Sequence, residues 1–166
     1  MGRRELRDVA VRFIFQYDFI DKAEKHSQGE TGASKETFDE IADNFIDSLY
    51  DDDEKQINNI KQSEEYEIYF KPVIKGVIEN QSDIDGYISR NSKEWEFSRI
   101  GKMDAAIMRV AVYELLKRED IPSVVTINEA IELAKKYSSE KAGTYINGVL
   151  GGILNEIEKE KNNTNQ

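Results

Sequence analysis

Between about Arg99 and Lys117 the chain is apolar on nearly every side of a helical projection, through Met103, Ala106, Ile107, Met108, Val110, Ala111, Val112, Tyr113, Leu115 and Leu116. A helix of that kind in a water-soluble protein belongs at the centre of a core, since it has no face to give to solvent. It is not a membrane span, because no stretch of the chain approaches the roughly 18 consecutive apolar residues that a bilayer requires. The remaining sequence must therefore supply amphipathic elements to surround it. Apolar residues elsewhere recur at intervals of three and four rather than two, and only 2 Pro and 10 Gly interrupt 166 residues. The expected fold class is all-α, with about seven helices.

The first helix reads from about Arg3 to Ile20, with Leu6, Ala10, Phe13, Tyr17 and Ile20 on one stripe and Val9 and Ile14 widening it. Ser27 to Ser34, with Gly29 and Gly32, reads as a loop. A second helix is expected from about Lys35 to Tyr50, and a third over Tyr66 to Ile78, where Pro72 imposes a kink or a late start. Ser82 and Asp85 resemble a capping box ahead of a short helix that carries Ile84, Tyr87 and Ile88. Trp95 and Phe97 are expected to anchor the next connection. After the central helix, Ile121-Pro122 favours an extended exit. Thr126 and Glu129 then form a T-x-x-E capping box opening a helix from Ile127 to Tyr137. The last helix is expected from about Ala142 to Glu160, burying Tyr145, Ile146, Val149, Leu150, Ile153, Leu154 and Ile157, with residues 161–166 fraying.

The net charge of −10 argues against a broad basic face, because a nucleic-acid backbone is held largely by Lys and Arg. Its distribution weakens that argument. Asp21 to Glu65 holds 14 acidic and 5 basic residues, which is −9 of the −10. This segment reads as a solvated acidic surface, and the run Asp51-Asp52-Asp53-Glu54 lacks the central Gly of a calcium loop. The rest is nearly neutral, so a small basic patch there can act within a Debye length of about 8 to 10 Å.

Chemistry that needs thiolates or clustered imidazoles is excluded by the absence of Cys and the presence of one His, His26. The N-terminus mixes charge into its apolar residues and has no signal-peptide core, which with the lack of Cys fits a reducing, cytoplasmic setting. No phosphate loop, dinucleotide fingerprint, serine elbow or zincin motif is present, so the sequence supports no enzyme and implies no cofactor or metal. Gly148 to Gly151 matches a G-x-x-G spacing but lies within an apolar helical stripe. Arg3, Arg4 and Arg7 cluster in the first turns of the first helix, where positive charge opposes the macrodipole by a few tenths of a kcal/mol. They are either ordinary solvated arginines or a patch for phosphates and unpaired bases.

The C-terminal half carries a more specific signal. Arg109 through Leu116, Arg118-Glu119-Asp120-Ile121-Pro122, Ile127-Asn128-Glu129-Ala130-Ile131-Glu132-Leu133-Ala134-Lys135 and Asn147-Gly148-Val149-Leu150 occur in order and at matching spacing. Together they resemble the NusB transcription antitermination family. The similarity runs from about Ile100 to Leu154, extends to Arg3–Phe19 through the R-R-x-x-R start and Phe15, and is thin over the acidic segment.

The resemblance implies two helical lobes, about 1–80 and 81–160, in a single RNA-binding domain without catalysis. It also implies an antitermination role in which NusE, a small-subunit ribosomal protein, joins the chain on the single-stranded boxA element of nascent ribosomal RNA leaders, within the RNA polymerase antitermination complex. Mapped residue by residue, the RNA contacts are Arg3, Arg4 and Arg7 together with Lys141, Thr144 and Tyr145; Asp104 and Phe15 fall on the protein-partner surface. Tyr145 is either a core aromatic or a stacking platform worth about 1 to 3 kcal/mol per base. Asp104 is either a carboxylate favoured by its helix N-terminus or a partner for a basic group of NusE. An acidic residue can stand in the family where Lys141 stands here, and the exchange should strengthen phosphate affinity. Asn128 and Asn147 belong to the family signature and fit capping or a buried hydrogen bond equally well. Members of the family are monomers or homodimers. Two other readings are an rRNA cytosine methyltransferase fragment, whose enzyme needs a cysteine nucleophile in a further domain, and a helical protein-interaction adaptor that uses the acidic segment.

Overall fold

The computed structural model describes residues 2–26, 36–51, 53–92 and 100–164, with side chains described outside 20–26. Among them are eight α-helices and one π-helical turn, and no strand. The expected Ser27–Ser34 loop, the Trp95 and Phe97 anchors and the side chain of Ile20 lie outside the described residues. The chain divides into two units, Met1–Lys75 and Gly76–Gln166.

In the first unit, α1 (Arg3–His26) runs beyond the expected Ile20. Leu6, Val9, Ala10, Phe13 and Ile14 are buried along it, as their spacing requires. Phe13 meets Phe45 edge-on at 5.1 Å and Phe70 at 6.5 Å, joining α1 to α2 (Phe38–Leu49) and to the π turn Tyr66–Phe70. The second helix begins later than expected because Thr37 caps it. The Thr37 hydroxyl accepts from the Glu40 amide at 3.2 Å, while the Glu40 carboxylate accepts from the Thr37 amide at 3.1 Å. In the acidic run, Asp53 accepts from the Gln56 amide and caps a helix absent from the sequence reading, α3 (Glu54–Lys61).

At Pro72 the third expected helix departs from α register, and its regular α-helical part starts late, at Lys71. The backbone loosens to a π turn over Tyr66–Phe70, with the Lys71 amide donating to the Tyr66 carbonyl, and α4 (Lys71–Glu79) continues from it. A proline in regular α register collides with the carbonyl four residues earlier, and a wider turn there relieves that collision. Part of the acidity of this unit is matched locally: Lys61 meets Asp47 at 2.7 Å, Lys71 lies 2.7 Å from Glu67 and 3.3 Å from Asp39, and the Tyr66 hydroxyl donates to Asp43 at 2.6 Å.

The second unit is built around α6 (Lys102–Lys117), buried without interruption from Ala105 to Glu114. It packs against α5 (Gln81–Arg90), α7 (Ser123–Tyr137) and α8 (Glu140–Thr164). The all-round apolar pattern thus corresponds to the helix with neighbours on most sides. Two polar residues inside it are matched rather than solvated. Arg109 makes a bidentate contact with Asp85 at 2.8 and 3.1 Å, and the Thr126 hydroxyl donates to the buried Glu114 carboxylate at 2.8 Å.

Those contacts overturn both capping boxes expected in this half. Asp85 belongs to Arg109, and α5 starts before Ser82, after Asn80. Thr126 lies a full turn inside α7, which begins after Pro122; the Pro122 carbonyl accepts from the Val125 and Thr126 amides. Proline fixes its own φ and needs no amide partner, so it starts this helix earlier than T-x-x-E would. The last helix starts two residues before Ala142 and continues to Thr164, past the expected end at Glu160. Among the described residues no helix is long and apolar enough to cross a membrane.

Candidate nucleic-acid interface

The N-terminal arginines sit on the first two turns of α1, and the fold treats the three differently. Arg4 is exposed. Arg3 is half-buried and forks onto Glu65, with Nε 2.7 Å from Oε2 and Nη2 3.2 Å from Oε1. Arg7 is only 4% exposed. The guanidinium carbons of Arg3 and Arg7 lie 5.4 and 5.3 Å from the ring centroid of the buried Tyr69, a cation–π arrangement worth about 0.5 to 2 kcal/mol apiece. Arg7 therefore has a packing role that the motif did not reveal. Its spacing with Val11 and Ile14, both buried, was the available signal.

The second group occupies the first two turns of α8. Lys141 and Thr144 are exposed, and Thr144 bonds back to the Glu140 carbonyl at 3.3 Å. Tyr145 is half-buried, with a phenol oxygen shielded from solvent and without a hydrogen-bond partner. That places it between the two sequence alternatives: its body packs, yet its polar end is unsatisfied, which costs roughly 1 to 3 kcal/mol. Only Ser138 and Ser139 separate α7 from α8. The Ser139 hydroxyl accepts from the Ala142 amide at 3.0 Å and starts the helix. Gly143 is buried against α7, where an added Cβ would make ordinary contact, 3.4 Å, with Ile131 and with the Lys135 stem. Lys135, nearly half exposed, flanks the start of α8. Arg3, Arg4 and Arg7 belong to the first unit, and Lys141, Thr144 and Tyr145 to the second.

Of the residues assigned to a protein partner, Phe15 is half-buried and meets Phe19 edge-on at 5.1 Å. Phe19, four residues on and 50% exposed, was not singled out in the sequence, although its helical spacing from Phe15 was legible. Asp104 is in the first turn of α6 and half-buried. Burial pushes its carboxyl above the usual carboxylate range, against a hydrogen bond from Ser138 that favours the charged form. Its Oδ1 is shielded and has no hydrogen-bond partner. Among the described residues no cluster of three or more His, Cys, Asp or Glu side chains is placed to hold a metal ion.

The profile of the NusB family matches residues 4–155. A curated relative, the transcription antitermination protein NusB of Acetivibrio thermocellus, is 41% identical over 160 residues, covering 93% of this chain and 89% of that protein. Among solved structures, T. maritima NusB superposes with a TM-score of 0.67 at 31% identity, over 94% of this chain and 92% of that one. A crystal structure of the antitermination factors NusB and NusE in complex with dsRNA gives a TM-score of 0.62 at 22% identity, over 94% and 99% of the two chains, a likeness of fold alone.

Proposed function

This chain belongs to the NusB family of transcription antitermination proteins, and from that premise we propose that it binds boxA-type RNA in nascent ribosomal RNA leaders together with NusE, and so supports ribosomal RNA transcription. The observation that carries the reading is a family match spanning nearly the whole chain, with Arg4, Arg7 and the start of α8 inside it. The family is non-enzymatic, so the activity is one of binding. A structural neighbour assembled with NusE and RNA supports the choice of partners.

In this reading Arg4, Lys141 and Thr144 are the exposed contacts to phosphate and sugar. Arg3 adds charge next to Arg4 while braced by Glu65, and Arg7, like Arg3, lies over the Tyr69 ring. Tyr145, half-buried, offers part of a ring for stacking. Phe15 and Asp104 contact NusE, the first by apolar area and the second by charge. With so few basic contacts and a net charge of −10, the chain alone holds RNA weakly, and selectivity depends on the partner.

Fluorescence anisotropy with a boxA-type single strand and a scrambled control, with and without NusE, tests this. The expected result is weak binding by the chain alone and tighter, boxA-selective binding with NusE. Equal affinity for the two strands under both conditions would refute it.

A further inference from the structure

In the first unit α1 packs against the π turn Tyr66–Phe70. Glu65, the residue that leads into that turn, meets Arg3 from 62 positions away, accepting from Nε at 2.7 Å and from Nη2 at 3.2 Å. Acidic residues nearer to Arg3 in the chain are engaged elsewhere: the Glu5 carboxylate accepts from the Gly2 amide at 2.9 Å, and Asp8 lies 3.3 Å from Arg12. The Arg3–Glu65 pair is thus made by the fold and not by charge alternation along α1. The two side chains keep 30% and 26% of their surface exposed, so a ligand that reaches the arginines also reaches this carboxylate. A bidentate fork both orients the guanidinium and sets a full negative charge against it. A phosphate approaching Arg3 therefore competes with an anion already in place, well inside a Debye length of about 8 to 10 Å.

We propose that Glu65 restrains sequence-independent RNA binding: by engaging Arg3 it withholds one positive charge from phosphate, so that the chain alone binds weakly and selectivity is left to the partner. This use of the pair rests on the RNA-binding reading above. Glutamine at position 65 keeps an acceptor for the fork while removing the opposing charge. The buried Tyr69 ring, 5.4 Å from the Arg3 guanidinium carbon, still holds the arginine in place. The released charge acts on RNA of any sequence, because phosphate contacts carry no base information.

Salt titrations of the full chain with a boxA-type and a scrambled single strand, read by fluorescence anisotropy, test the restraint. One added phosphate contact steepens the log–log salt slope by about 0.7 for a single strand, which is about a fivefold gain in affinity at about 0.1 M salt relative to about 1 M. Glu65→Gln is expected to show that gain on both strands alike, with the ratio of their affinities unchanged. Glu65→Asp keeps the charge and should keep the wild-type slope. Glu64→Gln removes the same charge from an exposed neighbour and should also leave the slope near that of the wild type. Without RNA, exchange of the Arg3 side-chain Nε–H, followed by NMR, should quicken in Glu65→Gln and not in Glu64→Gln. An unchanged slope in Glu65→Gln, an equal gain in Glu64→Gln, or unaltered Nε–H exchange overturns the proposal. A wild-type chain that binds both strands equally, with and without NusE, sinks the boxA reading instead, and the slopes then decide the role of Glu65 alone. Binding of neither strand by any variant overturns both.

Discussion

Gly76→Ala probes the packing of α4 against the central helix. A Cβ built on Gly76 in α4 would stand 2.0 Å from Cε2, 2.4 Å from Cζ and 2.8 Å from the hydroxyl of Tyr113 in α6. Carbon atoms at rest are about 3.5 to 4 Å apart, so the ring would have to retreat by roughly 1.5 Å. Tyr113 is 9% exposed and forms part of a continuously buried helix, which leaves little room for that movement. Overpacking of this kind costs about 1 to 3 kcal/mol, and the severity of the overlap places it at the upper end. The better helix propensity of alanine returns about 1 kcal/mol. The net expectation is a loss of about 2 kcal/mol, which at a urea dependence of about 2 kcal/mol per molar lowers the unfolding midpoint by about 1 M. Tyr113→Leu in the same chain clears the space, so the double variant should lose less than the two single losses combined. A Gly76→Ala protein with an unchanged or higher midpoint would show that the close approach does not exist.

Three further outcomes follow from contacts described above. Arg109→Met leaves Asp85 without its bidentate partner and should cost about 3 kcal/mol in urea unfolding, the lower end for a broken buried pair because Asp85 is partly exposed; no loss would deny the pair a structural role. Thr37→Ala removes the capping box of α2 and should cost about 1 kcal/mol, read as faster exchange at the Glu40 and Ile41 amides; unaltered exchange contradicts the cap. Burial, and then the hydrogen bond to Glu160, push the Tyr87 phenol up to about 12. The folded state holds that proton more tightly than the unfolded one, so the contribution is complete below pH of about 10 and is lost as pH rises towards 12. Tyrosinate absorbance should show that Tyr87→Phe removes a phenol titrating near that value, and removal of an ordinary phenol instead would refute it.

The parts of the fold legible in the sequence are those set by periodicity. The all-round apolar run from Met103 to Leu116 identified the central helix, and the stripe from Leu6 to Phe13 fixed the inward face of α1. Local end signals were less reliable because the same residues can be claimed from a distance. Thr126 and Glu129 have the spacing of a cap, but Thr126 bonds to Glu114 on another helix, and Asp85 is held by Arg109. Conversely, the true box at Thr37 and Glu40 falls inside the helix that the apolar pattern predicts from Lys35, since that pattern alone does not mark where a helix begins.

The site divides in the same way. Arg4, Lys141 and Thr144 are exposed and Tyr145 is half-buried, whereas burial of Arg7 over Tyr69 is a tertiary fact that no arginine motif carries. The acidic segment, which dominated the composition, proves to be partly matched by Lys61 and Lys71 within its own unit.

The most direct test of the central claim is transcription in vitro from a ribosomal leader that carries boxA ahead of a terminator, with RNA polymerase and NusE present. Adding this protein should raise the fraction of transcripts that pass the terminator, and scrambling boxA should abolish the increase. Read-through that does not respond to the protein, or that rises equally on the scrambled template, would contradict the account.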